Sequence, residues 1–155
     1  MALNLTSAVA VVAGAAGWKL TAPDENGVYH YFLENGLDLD IRSPDGRLCV
    51  LSADLGAAPD PARPDAEVEY VRIGRLAAGI QRKRASILST DESGRLELFR
   101  TVDLSTVQEQ RLIEEVRDFL NDQAWWRLNL QGSSAQSDSA SPFSMSGWFP
   151  GEFSF

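Results

Sequence analysis

Residues 37–42 alternate strictly between apolar and charged side chains, which is the two-residue period of a strand with one buried face. Asn35-Gly36 precedes this segment and predicts a two-residue type I′ hairpin turn. Residues 43–46 follow it with a second turn signal that contains proline, aspartate and glycine. A strand between two turns pairs on both sides, so the pattern predicts an antiparallel meander with outer strands at 28–34 and 47–53.

The rest of the chain predicts three helices and a second hairpin. Apolar spacing places helices at 2–16 and 65–84, and a third helix that begins at Ser105 and reaches Arg127. Ser105 and Gln108 fit a capping box at the start of that helix. Strands at 85–89 and 95–102 flank the turn 91–94. The predicted fold is therefore α+β, in the order α-β-β-β-α-β-β-α, with a twisted antiparallel sheet flanked by helices.

The net charge of −8 excludes some classes of partner. It opposes non-specific binding to nucleic acid and to anionic membranes. The apolar run 8–16 is too short to span a membrane, and no basic residue precedes Lys19, so we expect a helix of the mature protein and no membrane insertion. Cys49 is the single cysteine, which permits a reducing cytoplasm, and its apolar surroundings predict burial.

Catalytic motifs are missing from the sequence. His30 is the only histidine, so one cysteine and one histidine cannot build a tetrahedral zinc site. No phosphate-binding glycine motif occurs. The carboxylate pairs Asp38 with Asp40 and Glu114 with Asp118 are typical of solvated faces. We predict no catalytic residue, no metal and no cofactor; a hydrolase that uses His30 or paired carboxylates is the enzymatic alternative.

The composition changes after residue 130, which predicts a domain at 1–130 and a tail at 131–155. The tail is rich in serine and contains no lysine or arginine. It nevertheless carries five aromatic residues: Phe143, Trp148, Phe149, Phe153 and Phe155. Two interpretations stay open, since such a segment either docks on its own domain or binds a partner.

Three stretches, together with the order of elements, resemble the class I chaperones of bacterial type III secretion, the Tir-chaperone type. Residues 51–56 resemble the exit of the third strand in that family. Residues 85–98 resemble its hairpin of strands four and five. Residues 116–127, which end in Trp125-Trp126-Arg127, resemble the end of its last helix. The resemblance covers about residues 3–130 and consists of patterns rather than catalytic motifs.

The resemblance implies a cytoplasmic bacterial homodimer that binds the N-terminal, non-globular segment of a secreted effector and uses no cofactor. It further implies delivery to the secretion apparatus, for example to the export ATPase. In such chaperones the second helix lies at the dimer interface, which here implies Val68, Val71, Gly74, Leu76 and Ile80. The first helix and the sheet supply the effector groove, which here implies Leu5, Val9, Val12, Phe32 and Leu33.

Two further interpretations of the same elements stay open. The chain could be a general export-control adaptor that serves many effectors on the same fold. It could also be an unrelated small α/β interaction domain, which would be monomeric and have no large exposed apolar patch.

Overall fold

The computed structural model describes residues 2–131, and all structural statements below refer to this part of the chain. Three helices and five strands follow the predicted order. Their bounds are α1 Leu5–Ala16, β1 Tyr29–Phe32, β2 Asp38–Arg42, β3 Leu48–Ala57, α2 Ala66–Ile80, β4 Ile87–Thr90, β5 Arg95–Asp103 and α3 Glu109–Gln131.

The five strands form one antiparallel sheet in the order β1-β2-β3-β5-β4. Helix α3 packs against β3 and β5, and α1 packs against α3. The core between them includes the fully buried Leu39, Leu51, Leu98, Phe119 and Trp126. The structure thus confirms the predicted α+β class, because alternation along the strands puts their apolar faces under the helices.

The β1–β2 turn differs from the prediction. The Gly36 amide donates to the Leu33 carbonyl, and the Leu33 amide donates to the Leu37 carbonyl at 2.8 Å. Residues 34–36 therefore form a three-residue loop with Gly36 at φ +80°, and the predicted two-residue turn is wrong. The Leu37 amide also donates to Asn35 Oδ1, an interaction that holds this longer loop.

All three helices begin or end elsewhere than predicted. Helix α1 begins at Leu5 and not at residue 2. Helix α3 begins at Glu109, because Asp103 Oδ1 accepts from both the amide and the hydroxyl of Ser105, so Ser105 is not its cap. Helix α2 ends at Ile80 and has no basic residue in its last turn. The predicted end of this helix at residue 84 is therefore wrong, and Arg84 instead reaches α3, where it donates to Asp122.

A buried ion network joins the sheet to α3. Arg100 lies on the buried face of β5 with a side chain only 6% exposed. Its guanidinium contacts Glu115 at 2.7 Å and Asp122 at 3.0 Å. Asp122 also accepts from Ser86 Oγ and Arg84 Nη1, each at 2.5 Å. Every ionised group in this network has an opposite charge beside it, which is the condition for stable burial.

Candidate partner-binding surfaces

A large groove lies where β3 ends. A register shift between Asp54 and Gly56 bends the last part of β3. This bend, the first half of α2, the end of α3 and the β1–β2 hairpin enclose about 1180 Å³. Apolar side chains contribute much of its lining, namely Phe32, Leu55, Ala58, Ile73, Leu96 and Leu130. We call this concavity the β3 groove.

The arginines that line the β3 groove are all paired with carboxylates of the same groove. Arg95 contacts Asp54 at 2.8 Å, and Arg127 contacts Asp38 at 2.7 Å. In the same way Arg72 pairs with Glu69 and Arg63 with Asp65, both at 3.0 Å. Because these charges neutralise each other locally, the groove suits an apolar or weakly charged occupant better than a strongly charged one.

Phe32 is the most exposed large apolar side chain of the described chain, at 86%. It lies at the end of the edge strand β1, where alternation directs Tyr29 and Tyr31 into the core and His30 and Phe32 outward. It borders both the β3 groove and a smaller adjoining pocket that contains Trp18 and Leu33. An exposed aromatic ring beside a concavity is typical of a recognition surface.

The residues predicted to bind an effector do not form one surface. Phe32 and Leu33 lie beside the groove, and Leu5 is half-buried against the core. Val9 and Val12 are 1% and 2% exposed, because α1 turns this stripe toward α3 and the sheet. These two valines are core residues of the described structure, and their assignment to effector binding stays a prediction.

Helix α2 presents an apolar outer face. Only Ala66 and Ile73 are buried in this helix, whereas Val68 and Val71 are 69% and 46% exposed. Gly74 and Gly79 are also exposed, and an added methyl group at either position would meet no atom within 4 Å. Nothing within residues 2–131 therefore requires glycine at these two positions.

The five residues predicted at a dimer interface divide between two sides of α2. Val68, Val71 and Gly74 lie on the outer face, whereas Leu76 and Ile80 pack against the core of their own chain. The last two are therefore placed to stabilise the monomer.

His30 lies between two carboxylates on the exposed side of β1. Its Nδ1 is 2.6 Å from Asp40 Oδ1, and its Nε2 is 2.8 Å from Asp24 Oδ2. The hydrogen bond to Asp24, followed by that to Asp40, raises the pKa of His30. The bond to His30 is the largest cause that lowers the pKa of Asp24. When the imidazole is protonated, both ring nitrogens donate to these carboxylates, and the raised pKa of His30 favours this state.

This cluster predicts a defined pH dependence of stability. Because the pKa of His30 is raised in the folded protein, this histidine stabilises the fold at pH values below 6.5, the ordinary histidine pKa. The stabilisation is lost as the pH rises through the pKa of His30 in the folded protein. Because the pKa of Asp24 is lowered, this carboxylate stabilises the fold at pH values above 3.8. That stabilisation is lost as the pH falls through the pKa of Asp24 in the folded protein. We expect the melting temperature of wild type to exceed that of His30→Gln most at pH 5–6, with the difference shrinking toward pH 8.5. A pH-independent difference in thermal unfolding would contradict the ion cluster.

Other reactive groups occupy structural positions. Cys49 is 1% exposed, and burial raises the pKa of its thiol to about 12. Asp38 accepts hydrogen bonds from Gln123 and Arg127, and Glu114 pairs with Arg111. Between residues 2 and 131, no group of three or more histidine, cysteine, aspartate or glutamate residues could hold a metal ion.

The family model described as "Tir chaperone protein (CesT) family" matches residues 10–127. This range includes β1–β5, α2 and most of α1 and α3. The chain belongs to the Tir chaperone protein (CesT) family. The resemblance stated from the sequence is therefore confirmed, and the family is one of secretion chaperones. No curated protein matches the chain significantly.

Several solved structures have the same fold as this chain at low sequence identity. A chain of the ExsC–ExsE complex aligns with a TM-score of 0.59 at 18% identity, over 83% of this chain and 97% of that one. A chain of the HopA1–SchA chaperone–effector complex aligns with a TM-score of 0.57 at 15% identity, over 79% of this chain and 91% of that one. The third structure is the Yersinia pestis type III secretion chaperone SycH in complex with a fragment of YscM2. It aligns with a TM-score of 0.56 at 11% identity, over 79% of this chain and 98% of that one.

Sequence patterns missed most of the β3 groove. Leu55 and Ala58 lie beyond the end predicted for the third strand, and Leu130 lies at the predicted end of the domain. No local pattern connects them, because a concavity arises only where distant segments meet. The tail residues Phe143, Trp148, Phe149 and Phe153 lie outside the described residues. No helix within residues 2–131 is both long and apolar enough to cross a membrane.

Proposed function

We propose that the protein is a non-catalytic, cytoplasmic, homodimeric chaperone that binds the N-terminal region of type III secreted effectors and keeps it extended for export. Family membership supports the chaperone role. Two of the similar folds were solved as complexes, one of a chaperone with an effector and one of a chaperone with a protein fragment. The observation that carries the proposal for this chain is the exposed Phe32 beside the β3 groove.

An extended client suits this surface physically. Strand β1 is at one edge of the sheet, so its outer backbone groups can pair with an added strand. Phe32 and the apolar lining of the β3 groove would then take alternate side chains of the client. Because an unfolded client orders only on binding, such a complex can bury a long segment and still dissociate for delivery.

The proposed dimer uses the outer face of α2. An isologous contact would bring Val68 and Val71 of one protomer against the same residues of its partner. Gly74 and Gly79 would let the two helix backbones approach closely, which gives these glycines a role that contacts within residues 2–131 do not.

Phe32→Ser is expected to weaken effector binding about 10- to 100-fold, as for loss of a central aromatic anchor. The probe is a panel of N-terminal segments of several type III effectors from one bacterium, titrated calorimetrically against the full chain. The folded state should be unchanged, because this side chain is already in solvent. Ile87→Ser, at an exposed position on the opposite edge strand β4, is the matched control and should bind normally.

The titration separates four outcomes. Unchanged affinity in Phe32→Ser would exclude the β3 groove as the client site. If no segment binds wild type, the chaperone proposal is wrong. Binding of one segment supports a dedicated chaperone, whereas similar affinity for many supports a general export adaptor.

A further inference from the structure

We propose that the aromatic segment 143–155 of this same chain docks in the β3 groove. The segment would cover Phe32 and the apolar lining when no client is bound. The docking itself does not depend on the chaperone role, but its consequence for clients rests on the proposed function.

The first support is the point at which the chain leaves the described structure. Helix α3 ends at Gln131, and both Leu130 and Gln131 line the β3 groove. The tail therefore starts at the wall of this groove. Residues 132–142 can bridge at most about 40 Å. A short tether of this kind gives an effective concentration of about millimolar, so even weak contacts would be occupied.

The second support is chemical complementarity. Residues 143–155 contain five aromatic side chains and a single ionisable side chain, Glu152. The groove offers an exposed aromatic ring, an apolar lining and arginines whose charges are already paired. Aromatic rings can stack on Phe32 and on the faces of these guanidinium groups without separating the ion pairs. A weakly charged aromatic segment is thus the kind of occupant that this groove accepts.

The outer face of α2 is a poorer site for the tail. Ile73 and Arg72 of this helix line the groove, whereas Val68 and Val71 lie on the side turned away from it. The tail would have to cross the helix to reach that side. A helix surface with glycines also offers less concave area to aromatic rings than the groove does.

Docking in this position would regulate the proposed activity. A client that uses Phe32 would have to displace the tail, so the tail would lower the apparent affinity for weak clients. It would also cover the apolar lining against self-association while the chaperone is empty.

The test places benzoylphenylalanine at position 149 of the full chain and irradiates it without any client. Mass spectrometry then locates the crosslinks, and an equal mixture of ¹⁴N and ¹⁵N protein separates links within one chain from links between chains. The proposal expects links within one chain to peptides 28–36, 54–60 or 93–98. Links that map to Val68, Val71 or Gly74 on the outer face of α2, links mainly between chains, or no preferred site would overturn it.

Two variants sharpen the result. Phe32→Ser should lower the crosslink yield about fivefold, the amount expected for loss of one aromatic contact. Ile87→Ser, which is exposed on the far edge of the sheet, should leave the yield unchanged. An equal yield in both variants would contradict docking against Phe32. Because no effector is present, failure of this test leaves the proposed chaperone function standing, and failure of effector binding leaves this test valid.

Discussion

Val71→Glu is expected to convert a wild-type dimer into a folded monomer. Val71 is 46% exposed on the outer face of α2, so the monomer tolerates a carboxylate there. In a two-fold contact the substitution would bury two unpaired negative charges against each other, at a cost of several kcal/mol. Dimerisation should weaken by about 100-fold or more.

Light scattering at micromolar concentration checks this result. Wild type should give twice the chain mass of 17.0 kDa, and Val71→Glu the chain mass itself with an unchanged circular dichroism spectrum. Leu20→Glu, at a loop position that is 61% exposed, is the matched control and should stay dimeric. Leu76 is a poorer choice, because it packs against the core of its own chain. A monomeric wild type would refute the proposed interface.

Asp122→Ala is expected to lower the free energy of unfolding by about 3–5 kcal/mol, the cost of removing one partner from a buried ion pair. Asp122 is 1% exposed and accepts from Arg84, Ser86 and Arg100. Its loss leaves Arg100 with Glu115 as its remaining carboxylate and removes the one acidic partner of Arg84 in this network. Few substitutions outside the apolar core should cost this much.

Urea denaturation at a fixed protein concentration measures the loss, since mass action shifts the stability of any dimer. Arg47→Ala provides the comparison. It removes an ion pair with Asp103 whose arginine is 66% exposed, and because solvent screens this pair it should cost much less than Asp122→Ala. If Asp122→Ala and Arg47→Ala lower the free energy of unfolding by similar amounts, the buried network does not contribute to stability as its geometry indicates.

The sequence predicted the order of the elements because the evidence for them is local. Alternation over residues 37–42 and helical spacing in the last helix are each visible within a short window. The turns and helix ends were less accurate. A side chain such as Asn35 or Asp103 selects among several local hydrogen-bonding patterns, and tertiary packing decides which one forms.

The candidate site was predicted only in part. Phe32 was assigned to a client surface and does lie at the β3 groove, but Val9 and Val12 were grouped with it and are buried. An apolar stripe looks the same in sequence whether it packs inside one chain or between two. Leu55 and Leu130 could not be connected by any pattern, because they lie far apart in the chain and meet only at the groove.

The sequence by itself therefore determined the α+β class and the order of helices and strands, because periodicity and turn residues act over a few positions. Residues 51–56, 85–98 and 116–127 also showed the family resemblance. Only the tertiary structure decided which apolar residues are core and which face solvent, and that Arg100 is neutralised by Asp122 and Glu115 on α3. The physical reason is that burial and ion pairing depend on distances between segments remote in the chain, which the packing of α3 on the sheet sets.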